Sequence, residues 1–515
     1  FEYTICDATN AENCDTATIT ITVEPVDIPE DTFDTELKAF PTAYGGGTYT
    51  TGGRGGVVLH VTTTTDGTVN DVGTLRWALA QNYKRTIVFD VSGVFDFAGG
   101  QNEYPKAKGD VTIAGQTAPE GGVTLTGNFI MFSGQNNVII RHIKFRNPQS
   151  INSRGWCLVL NSGASDVIID NCSFSYSTQI AISVGANSDG KNCEDVTVQN
   201  SLFGECRDGI YAGNGSPSSL KNGSISIIRN AFSNVGWRVP SNVVGTNAPG
   251  KSFDLVNNIA HNFMYRTFRM SGQSGHLNLI GNYYQAGSST SNSFKKVNVK
   301  DGQVYLQLLP LFVMDSNKNV DPKVYMFDNP IESVKSGYSP LDYVPSDRTT
   351  DPQTGTAPYS LTSDGTTSYP ESVWFPFSTN TTPIDPNIFI EKQQIPLNNA
   401  PPVLRASDVA SVILPDIGAN KYLNADGSVG TYRDPLDTQY VDWIITGYSK
   451  TYSPSTMSLP SMPASSRPAG YDTDNDGMAD IWEIGTFGDL SKTSNGDEDG
   501  DGYTNIEEFL NAIDK

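Results

Sequence analysis

The chain has 515 residues, with 34 Lys and Arg against 56 Asp and Glu, so its formal net charge at pH 7 is −22. So acidic a protein is a poor partner for nucleic acid or an anionic membrane surface, and a polyanionic substrate would need a local basic patch. No run of about 18 apolar residues occurs, so the sequence predicts no membrane span. The length exceeds that of one compact domain, unless the fold grows in one dimension as a solenoid does.

Residues 1–27 alternate polar and apolar side chains with a period of two, which predicts the last two strands of an immunoglobulin-like module. Residues 28–38 are acidic, contain Pro and indicate a linker. Cys6 and Cys14 bracket the turn between the two strand-like runs, where a disulfide would fit an exported protein. No signal peptide is apparent and the chain opens inside a strand-like run. We therefore expect a piece of a secreted or cell-surface bacterial protein.

One phrase repeats through the middle of the chain, a short β-branched run that ends in a polar and then an aromatic residue. Its clearest copies are Asn137–Phe145, Asp166–Phe174 and Asp195–Phe203. Such a unit cannot bury its apolar side alone and must stack on its neighbours. The sequence therefore predicts an all-β fold, a parallel β-helix over residues 39–451, with a ladder of side-chain amides in its turns. The markers of the repeat, 29, 30, 28 and 24 residues apart, are Asn171, Asn200, Asn230, Asn258 and Asn282.

Short helices are predicted at three places. Leu75–Ala80 is expected to cap one end of the stack, and Ala406–Ile413 and Asp434–Ile445 are expected to be helical or mixed segments that pack on it. Residues 452–470 are rich in Pro and Ser and indicate a linker. Buried free thiols are at least as strongly expected as disulfides for the cysteines on or beside the coils, Cys157, Cys172, Cys193 and Cys206.

Residues 471–515 are predicted to form a small calcium-binding module that contains two loops of the EF-hand pattern. Each loop offers oxygens at positions 1, 3, 5, 7, 9 and 12, with Gly477 or Gly502 at position 6. The arrangement resembles dockerin-like or thrombospondin-type calcium repeats, in which we expect the metal to be structural. The predicted ligands are Asp472, Asp474, Asp476, Met478 through its carbonyl, Asp480 and Glu483, and then Asp497, Asp499, Asp501, Tyr503 through its carbonyl, Asn505 and Glu508.

Six phrases of the chain are shared in kind with one known family: Ala39–Pro41 with Thr51–Gly56, Thr86–Gly93, Thr112–Pro119, Val138–Arg146, Ile169–Ser175 and Arg433–Asp437. Together they resemble the pectate lyase family, polysaccharide lyase family one, in the form found in Bacteroidetes. The resemblance covers roughly residues 39–450 and implies a right-handed parallel β-helix with a saccharide groove along one face. Members cleave uronate polysaccharides by β-elimination, with Ca²⁺ to neutralise the substrate carboxylate and an Arg in an Arg-x-Pro phrase as the base.

The resemblance assigns the base to Arg238, in the phrase Trp237-Arg238-Val239-Pro240. A guanidinium holds its proton to a pKa above about 12, so this role requires a dry site crowded with cations. Gln179, Asp208, Arg238 and Arg266 recur at nearly equivalent turn positions and are predicted to form a column along the groove. The predicted substrate-binding residues are Arg266, Arg269, Arg207, Asp208, Gln179, Tyr265 and His261.

Alternatives remain open for these residues. The arginines could instead pair with acidic residues of neighbouring coils, and His142, His261 or Tyr265 could supply the base or the acid. Trp156, Trp237 and Tyr265 could serve as platforms in a β-helix that binds a glycan without cleaving it. The predicted partner in every case is an anionic polysaccharide, bound by a monomer.

Two departures from the family pattern argue against calcium in the groove. Ser177-Thr178-Gln179-Ile180 stands where compact members read Ser-Thr-Asp-Glu, although Asp170 upstream is kept. The second Arg of the family, five residues after the base, is replaced by Val243. The sequence then favours a lyase that neutralises charge with arginine, or one adapted to a sulfated or glucuronate-containing algal glycan.

Overall fold

The computed structural model describes residues 36–97, 102–147, 155–185, 193–212, 223–242, 250–264, 276–290, 399–451 and 459–514, together with the further strands named below and a few single positions. The chain forms two compact units, Phe1–Leu37 and Lys38–Lys515. In the first unit, β1 (Glu2–Asp7) pairs antiparallel with β2 (Asn10–Thr18), and Cys6 lies opposite Cys14. No helix in the described part of the chain is both long and apolar enough to cross a membrane.

Three parallel sheets build the second unit, and each successive coil adds one strand to each sheet. The first sheet runs in order through β3 (Val57–Val61), β4 (Arg85–Phe89), β7 (Val111–Ala114), β10 (Asn136–Arg141), β13 (Ser165–Asp170), β16 (Glu194–Gln199), β20 (Ile225–Ile228), β24 (Phe253–Val256), β27 (His276–Ile280) and β32 (Lys323–Phe327). The second contains β5 (Gly93–Asp96), β8 (Val123–Thr126), β11 (Ile143–Arg146), β14 (Ser173–Ser175), β17 (Leu202–Gly204), β21 (Ala231–Ser233), β25 (Ile259–His261), β28 (Tyr283–Ala286) and β33 (Ile331–Ser333).

The third sheet closes each coil. It contains β6 (Lys106–Ala107), β9 (Ile130–Ser133), β12 (Leu158–Asn161), β15 (Ile180–Val184), β18 (Asp208–Ala212), β22 (Ser241–Asn242), β26 (Phe268–Met270) and β31 (Phe312–Met314). This arrangement confirms the predicted parallel β-helix. Two-stranded sheets outside the stack pair β19 (Lys221–Asn222) with β23 (Thr246–Asn247), β29 (Lys295–Lys300) with β30 (Gln303–Leu308), and β34 (Lys421–Leu423) with β35 (Val429–Thr431).

Equivalent side chains stack from coil to coil inside the β-helix. The rings of Phe145, Phe174, Phe203 and Phe232 lie parallel, with successive centroids 4.8, 4.9 and 4.6 Å apart. The inward residues of the first sheet, such as Val138 and Val167, are completely buried. The four cysteines on or beside the coils are buried thiols that form no disulfide: Cys157, Cys172, Cys193 and Cys206.

The predicted amide ladder exists, with three of its five predicted members and the additional member Asn329. Asn230 Nδ2 donates to Asn258 Oδ1 (3.1 Å), Asn258 to Asn282 (2.9 Å) and Asn282 to Asn329 (2.8 Å). Asn171 and Asn200 belong instead to the preceding turn position, while Cys172 and Ser201 occupy the ladder position. Both positions favour Asn, so a shift of one residue left the repeat spacing almost unchanged and was not visible in the sequence.

The preceding turn position is a column of residues in the left-handed conformation. His142, Asn171, Asn200, Arg229 and Asn257 have φ between 47° and 55°. Asn tolerates this conformation better than most residues because its short polar side chain can bond locally. His142 and Arg229 are therefore the unusual members of the column.

Among the described residues, five α-helices lie outside the stack. The predicted capping helix is α1 (Leu75–Ala80), with the Thr74 hydroxyl accepting from Trp77 N. The two predicted packing segments are α2 (Ala406–Ile413) and α3 (Pro435–Thr446). They bury Val409, Tyr440 and Ile444 against the second sheet. The approach is so close that a Cβ on Gly204 would lie 2.1 Å from the Tyr440 ring.

The C-terminal helices, α4 (Asp480–Phe487) and α5 (Asn505–Asn511), pack on the outer face of the first sheet. Residues 459–470, which composition marks as a linker, lie in contact with the coils. Arg467 N donates to Asp90 O (2.7 Å), and Ser466 forms an antiparallel bridge with Val91. The segment is thus held to the β-helix by backbone hydrogen bonds.

Candidate active site

The turn that joins the second sheet to the third carries the predicted site. In three successive coils it comprises residues 176–179 after β14, 205–207 after β17 and 234–240 after β21. Arg238 stands near the end of the third of these turns with a left-handed φ of 56°. This conformation is uncommon for a residue with a long side chain. It persists only where the surrounding structure imposes it, and such positions are frequent at active sites.

Arg238 and Asp208 form the central contact of the site. Arg238 Nη1 lies 2.5 Å from Asp208 Oδ2, and its guanidinium lies over the Tyr211 ring at 4.6 Å from the centroid. The Arg238 side chain is 30% exposed, whereas that of Asp208 is 2% exposed. The buried carboxylate therefore holds an accessible guanidinium at the surface of the turn.

A second arginine shares the same carboxylate. Arg207 Nη2 lies 3.5 Å from Asp208 Oδ2, and its side chain is 51% exposed. Burial raises the pKa of Asp208, and the charges of Arg238 and Arg207 act in the opposite direction. Two guanidinium groups thus share one carboxylate at this turn, and Arg238 pairs with an acidic residue of the neighbouring coil, which was the alternative left open by the sequence.

The predicted column is staggered by one residue. Asp208 is level with Ile180 in the preceding coil and with Trp237 in the next, so Gln179 is level with Arg207 and Arg238 lies one position further along. The turn after β14 has four residues and the turn after β17 has three, which accounts for the offset. Gln179 is half-buried, and its N–H donates to Gly155 O (3.0 Å).

Asp170, the acid that the sequence retains upstream, does not face this turn. It is buried at the end of β13, where it accepts from Arg141 Nε (2.9 Å), Gln199 Nε2 (2.8 Å) and Asn200 Nδ2 (3.0 Å). These bonds engage the carboxylate within the first sheet, so Asp170 is part of the scaffold.

Two predicted histidine candidates are buried and face away from solvent. His261, expected to contact substrate, has Nε2 2.8 Å from Tyr448 O and Nδ1 3.0 Å from Gln285 Oε1, and burial lowers its pKa. His142 is 3% exposed. Both rings are therefore buried in this structure, and the proposed contact of His261 with substrate remains a prediction. Tyr265, Arg266 and Val243 lie outside the described residues, as does the side chain of Arg269.

A neighbouring ion pair was not visible in the sequence. Glu205, two residues before Arg207, pairs with Lys450 from the segment that follows α3, and its Oε2 lies 3.4 Å from the Tyr440 hydroxyl. Lys450 Nζ also lies 4.7 Å from the centroid of Trp443. The partners are more than two hundred residues apart in the chain, and no local pattern connects them.

The groups able to hold a metal, among the residues that the structure describes, are two clusters in the C-terminal module. Asp472, Asp474 and Asp476 form the first, and Asp497, Asp499 and Asp501 the second. In each loop the side chain at position 1 accepts the N–H at position 6, Gly477 at 2.8 Å and Gly502 at 3.1 Å. Both loops therefore have the predicted calcium-loop shape, with three carboxylates converging.

Comparison with known proteins finds sequence relatives for about half of the chain. No family model matches the chain. A probable pectate lyase C from Aspergillus fumigatus is 33% identical over 261 residues, 50% of this chain and 56% of the relative. The corresponding protein of Aspergillus oryzae is 32% identical over 262 residues, 50% of this chain and 57% of the relative. The chain thus spans about half the length of the curated relatives it matches.

Two solved structures were compared with this one. The cedar pollen allergen jun a 1 is 15% identical in sequence, and the alignment covers 73% of this chain and 92% of that chain with a TM-score of 0.47. A thermostable pectate lyase has 14% identity, 75% and 99% coverage, and a TM-score of 0.44. Over half of its length, this parallel β-helix protein is a sequence relative of pectate lyases.

Proposed function

We propose that the protein is a polysaccharide lyase that cleaves an anionic, uronic-acid-containing polysaccharide by β-elimination at the turn of Arg238. The relationship to pectate lyases over half the chain supports the reaction class. The observation that carries the location is the Arg238 guanidinium, held at the surface by a buried carboxylate and 30% exposed. It stands in the phrase that the resemblance assigns to the base.

The chemistry requires a neutralised carboxylate, a base and a proton for the leaving group. Removal of the proton at C5 leaves an electron pair that forms the double bond to C4 while the C4–O4 bond breaks, and O4 departs with a proton. The C5 proton becomes acidic only when the charge of the adjacent uronate is offset. Arg207, half-exposed beside Arg238, can offer that carboxylate a planar fork of N–H donors.

The base role makes a specific demand on Arg238. Proton transfer to it requires a neutral guanidine, whereas a free guanidinium keeps its proton up to a pH above about 12. In this structure the guanidinium is paired with the Asp208 carboxylate. We therefore propose that Arg238 breaks its contact with Asp208 when substrate binds. Arg207, already 3.5 Å from the same Asp208 oxygen, then takes over the contact and keeps a cation beside the reacting centre.

The substrate is proposed by class. Gln179 and Ile180 replace two family acids, which favours charge neutralisation by arginine and a sulfated or glucuronate-containing algal glycan over pectate. A glycan-binding β-helix without cleavage is the second candidate function, and the half-buried rings of Trp156 and Trp237 beside the turn favour it. Because such polymers are too large to enter a cell, we propose that the protein acts outside it. We also propose that it acts as a monomer.

We propose further that the two C-terminal loops bind Ca²⁺ in a structural role. Glu483, at position 12 of the first loop, is fully buried, and neither of its carboxylate oxygens has a hydrogen-bond partner among the described residues. A buried carboxylate without a partner is costly, and a cation held by Asp472, Asp474, Asp476 and Glu483 would remove that cost. The proposal assigns this calcium no part in the elimination.

One assay separates lyase from binding module. The protein is incubated with a panel of uronate and sulfated glycans, and the ultraviolet absorbance of the unsaturated uronate product is followed. A rise with one glycan class, absent in Arg238→Ala, supports the lyase and names its substrate. Retardation of the protein in a glycan-containing gel without any rise in absorbance would establish the binding function instead.

A further inference from the structure

The first calcium loop is built into the β-helix instead of projecting from it. At its sharp turn, a Cβ on Gly477 would lie 2.8 Å from Val58 Cγ1 of β3 and 2.8 Å from Ile506 of α5. The next residue, Met478, is completely buried in a cluster that includes Val88 of β4 and Ala114 of β7. The loop backbone therefore rests directly on the outer face of the first three strands of the first sheet.

Polar contacts from the loop reach the same strands. Asp472 Oδ2, at position 1, lies 3.6 Å from His60 Nε2, and His60 Nδ1 lies 3.0 Å from Asp90 Oδ1. The ring thus stands between a predicted metal ligand and the carboxylate that follows β4. A movement of the Asp472 side chain would therefore change its contact with His60 of β3 directly.

Three further contacts fasten the rest of the module to the coils. Arg54 Nε pairs with Glu507 of α5 (2.9 Å), and Arg141 Nη2 lies 2.5 Å from Asp514 Oδ1. Asn495 Nδ2, in the segment before the second loop, donates to Gly56 O (2.9 Å). A module that served only to dock another protein would not need to bury its own core residues against the β-helix.

The same loop gathers carboxylates beside this contact. Asp472, Asp474 and Asp476 each offer an oxygen, and these oxygens lie within 4.8 Å of one another. Glu483 at position 12 is fully buried, and neither of its carboxylate oxygens has a hydrogen-bond partner among the described residues. Charges of one sign held this close repel each other, which opposes the closed loop and hence its packing on β3 and β4.

We propose that the first loop is a Ca²⁺ site whose occupation fastens the C-terminal module to β3 and β4, so that calcium stabilises the first coils of the β-helix themselves. The cation removes the repulsion among four carboxylates, and the closed loop then keeps Met478 and Gly477 on the sheet. The inference rests on the calcium proposal above and is independent of lyase activity.

Hydrogen exchange of the full chain tests it. The protein is freed of metal with EGTA, CaCl₂ is added under calorimetry, and amide exchange is compared by mass spectrometry. We expect slower exchange in Val57–Val61 and Arg85–Phe89 with calcium, by up to about 100-fold when free calcium is about 100 times its dissociation constant. Exchange in the central strand β16 should not change and serves as the internal reference.

Two matched variants locate the effect. Asp476→Asn removes position 5 of the first loop and should abolish the protection of β3 and β4. Asp501→Asn removes the same position of the second loop, whose three acids are exposed, and should keep that protection while one equivalent of calcium is lost. Calcium binding with protection confined to residues 471–514 would overturn the inference alone. An absence of calcium binding would overturn both it and the calcium proposal.

Discussion

Arg146 and Asp437 form a completely buried ion pair across 291 residues of the chain, with Nη2 2.7 Å from Oδ1. Asp434, the N-cap of α3, lies 2.8 Å from the same guanidinium, and Ser173 donates to the other oxygen of Asp437 (2.6 Å). The pair joins β11 of the second sheet to α3. Both partners lie in phrases that carry the family resemblance, Val138–Arg146 and Arg433–Asp437.

Loss of one partner of this pair should destabilise the protein strongly. Asp437→Ala leaves Arg146 charged and only partly compensated in a dry environment, so we expect the free energy of unfolding to fall by about 3–5 kcal/mol. Asp442→Asn, at an exposed position of the same helix, should change it by less than about 0.5 kcal/mol. Urea denaturation followed by tryptophan fluorescence measures both. Equal effects would mean that α3 is held by its apolar face alone.

Replacement of the proposed base should reduce turnover without unfolding the protein. Arg238→Lys keeps a charge but loses the planar fork, and we expect kcat to fall by at least about 10²-fold, the lower end for a general base. Arg405→Lys, at an exposed position before α2, controls for the exchange itself. Initial rates on the glycan identified by the panel provide the measurement. A near-normal kcat would move the base to another residue.

Asp208 should hold Arg238 in position for the reaction. Asp208→Asn keeps the shape of the side chain but removes the charge that pairs with the guanidinium, so we expect kcat/KM to fall by about 10-fold or more, the usual effect of losing a hydrogen bond between charged groups. Asp195→Asn in β16, which removes the partner of Lys251, should leave kcat/KM unchanged. An unchanged kcat/KM in Asp208→Asn would mean that Arg238 does not need this carboxylate for its role.

His142 should make the protein sensitive to acid. Burial, and then Arg141, Lys421 and Lys144, lower its pKa well below 6.5. Below about pH 6.5 the imidazole of His142 is therefore protonated in the unfolded chain but not in the folded protein. The free energy of unfolding then falls by about 1.4 kcal/mol per pH unit, until the pH reaches the pKa of the folded state.

The variant His142→Asn tests that origin of acid sensitivity. Asn suits the position because Asn171 and Asn200 occupy the same left-handed turn in the next two coils. We expect its melting temperature to fall less than that of the parent protein between pH 8 and pH 5, while His261 continues to contribute. The measurement at pH 8 is the internal control. An identical loss in both proteins would place the acid sensitivity elsewhere.

Repetition made the fold predictable, whereas the site depends on contacts that repetition does not encode. The spacing of the coils predicted stacked parallel strands, and α1 was predicted at its observed bounds. The same spacing did not distinguish Asn200 from Ser201 as the ladder position, because both positions recur with one period. Contacts such as Glu205 with Lys450, or Arg54 with Glu507, join distant segments and have no local signature.

The hydrogen bonds of the amide ladder keep the same length whether the connection between two coils is short or long. Asn258 and Asn282 are 24 residues apart, Asn282 and Asn329 are 47 apart, and yet the two hydrogen bonds measure 2.9 and 2.8 Å. The longer interval contains the β29–β30 hairpin, so a whole extra element was inserted without a change in the step between coils. Evolution, or an engineer, can therefore exchange loops between coils for new glycan contacts while the ladder preserves the frame that presents them.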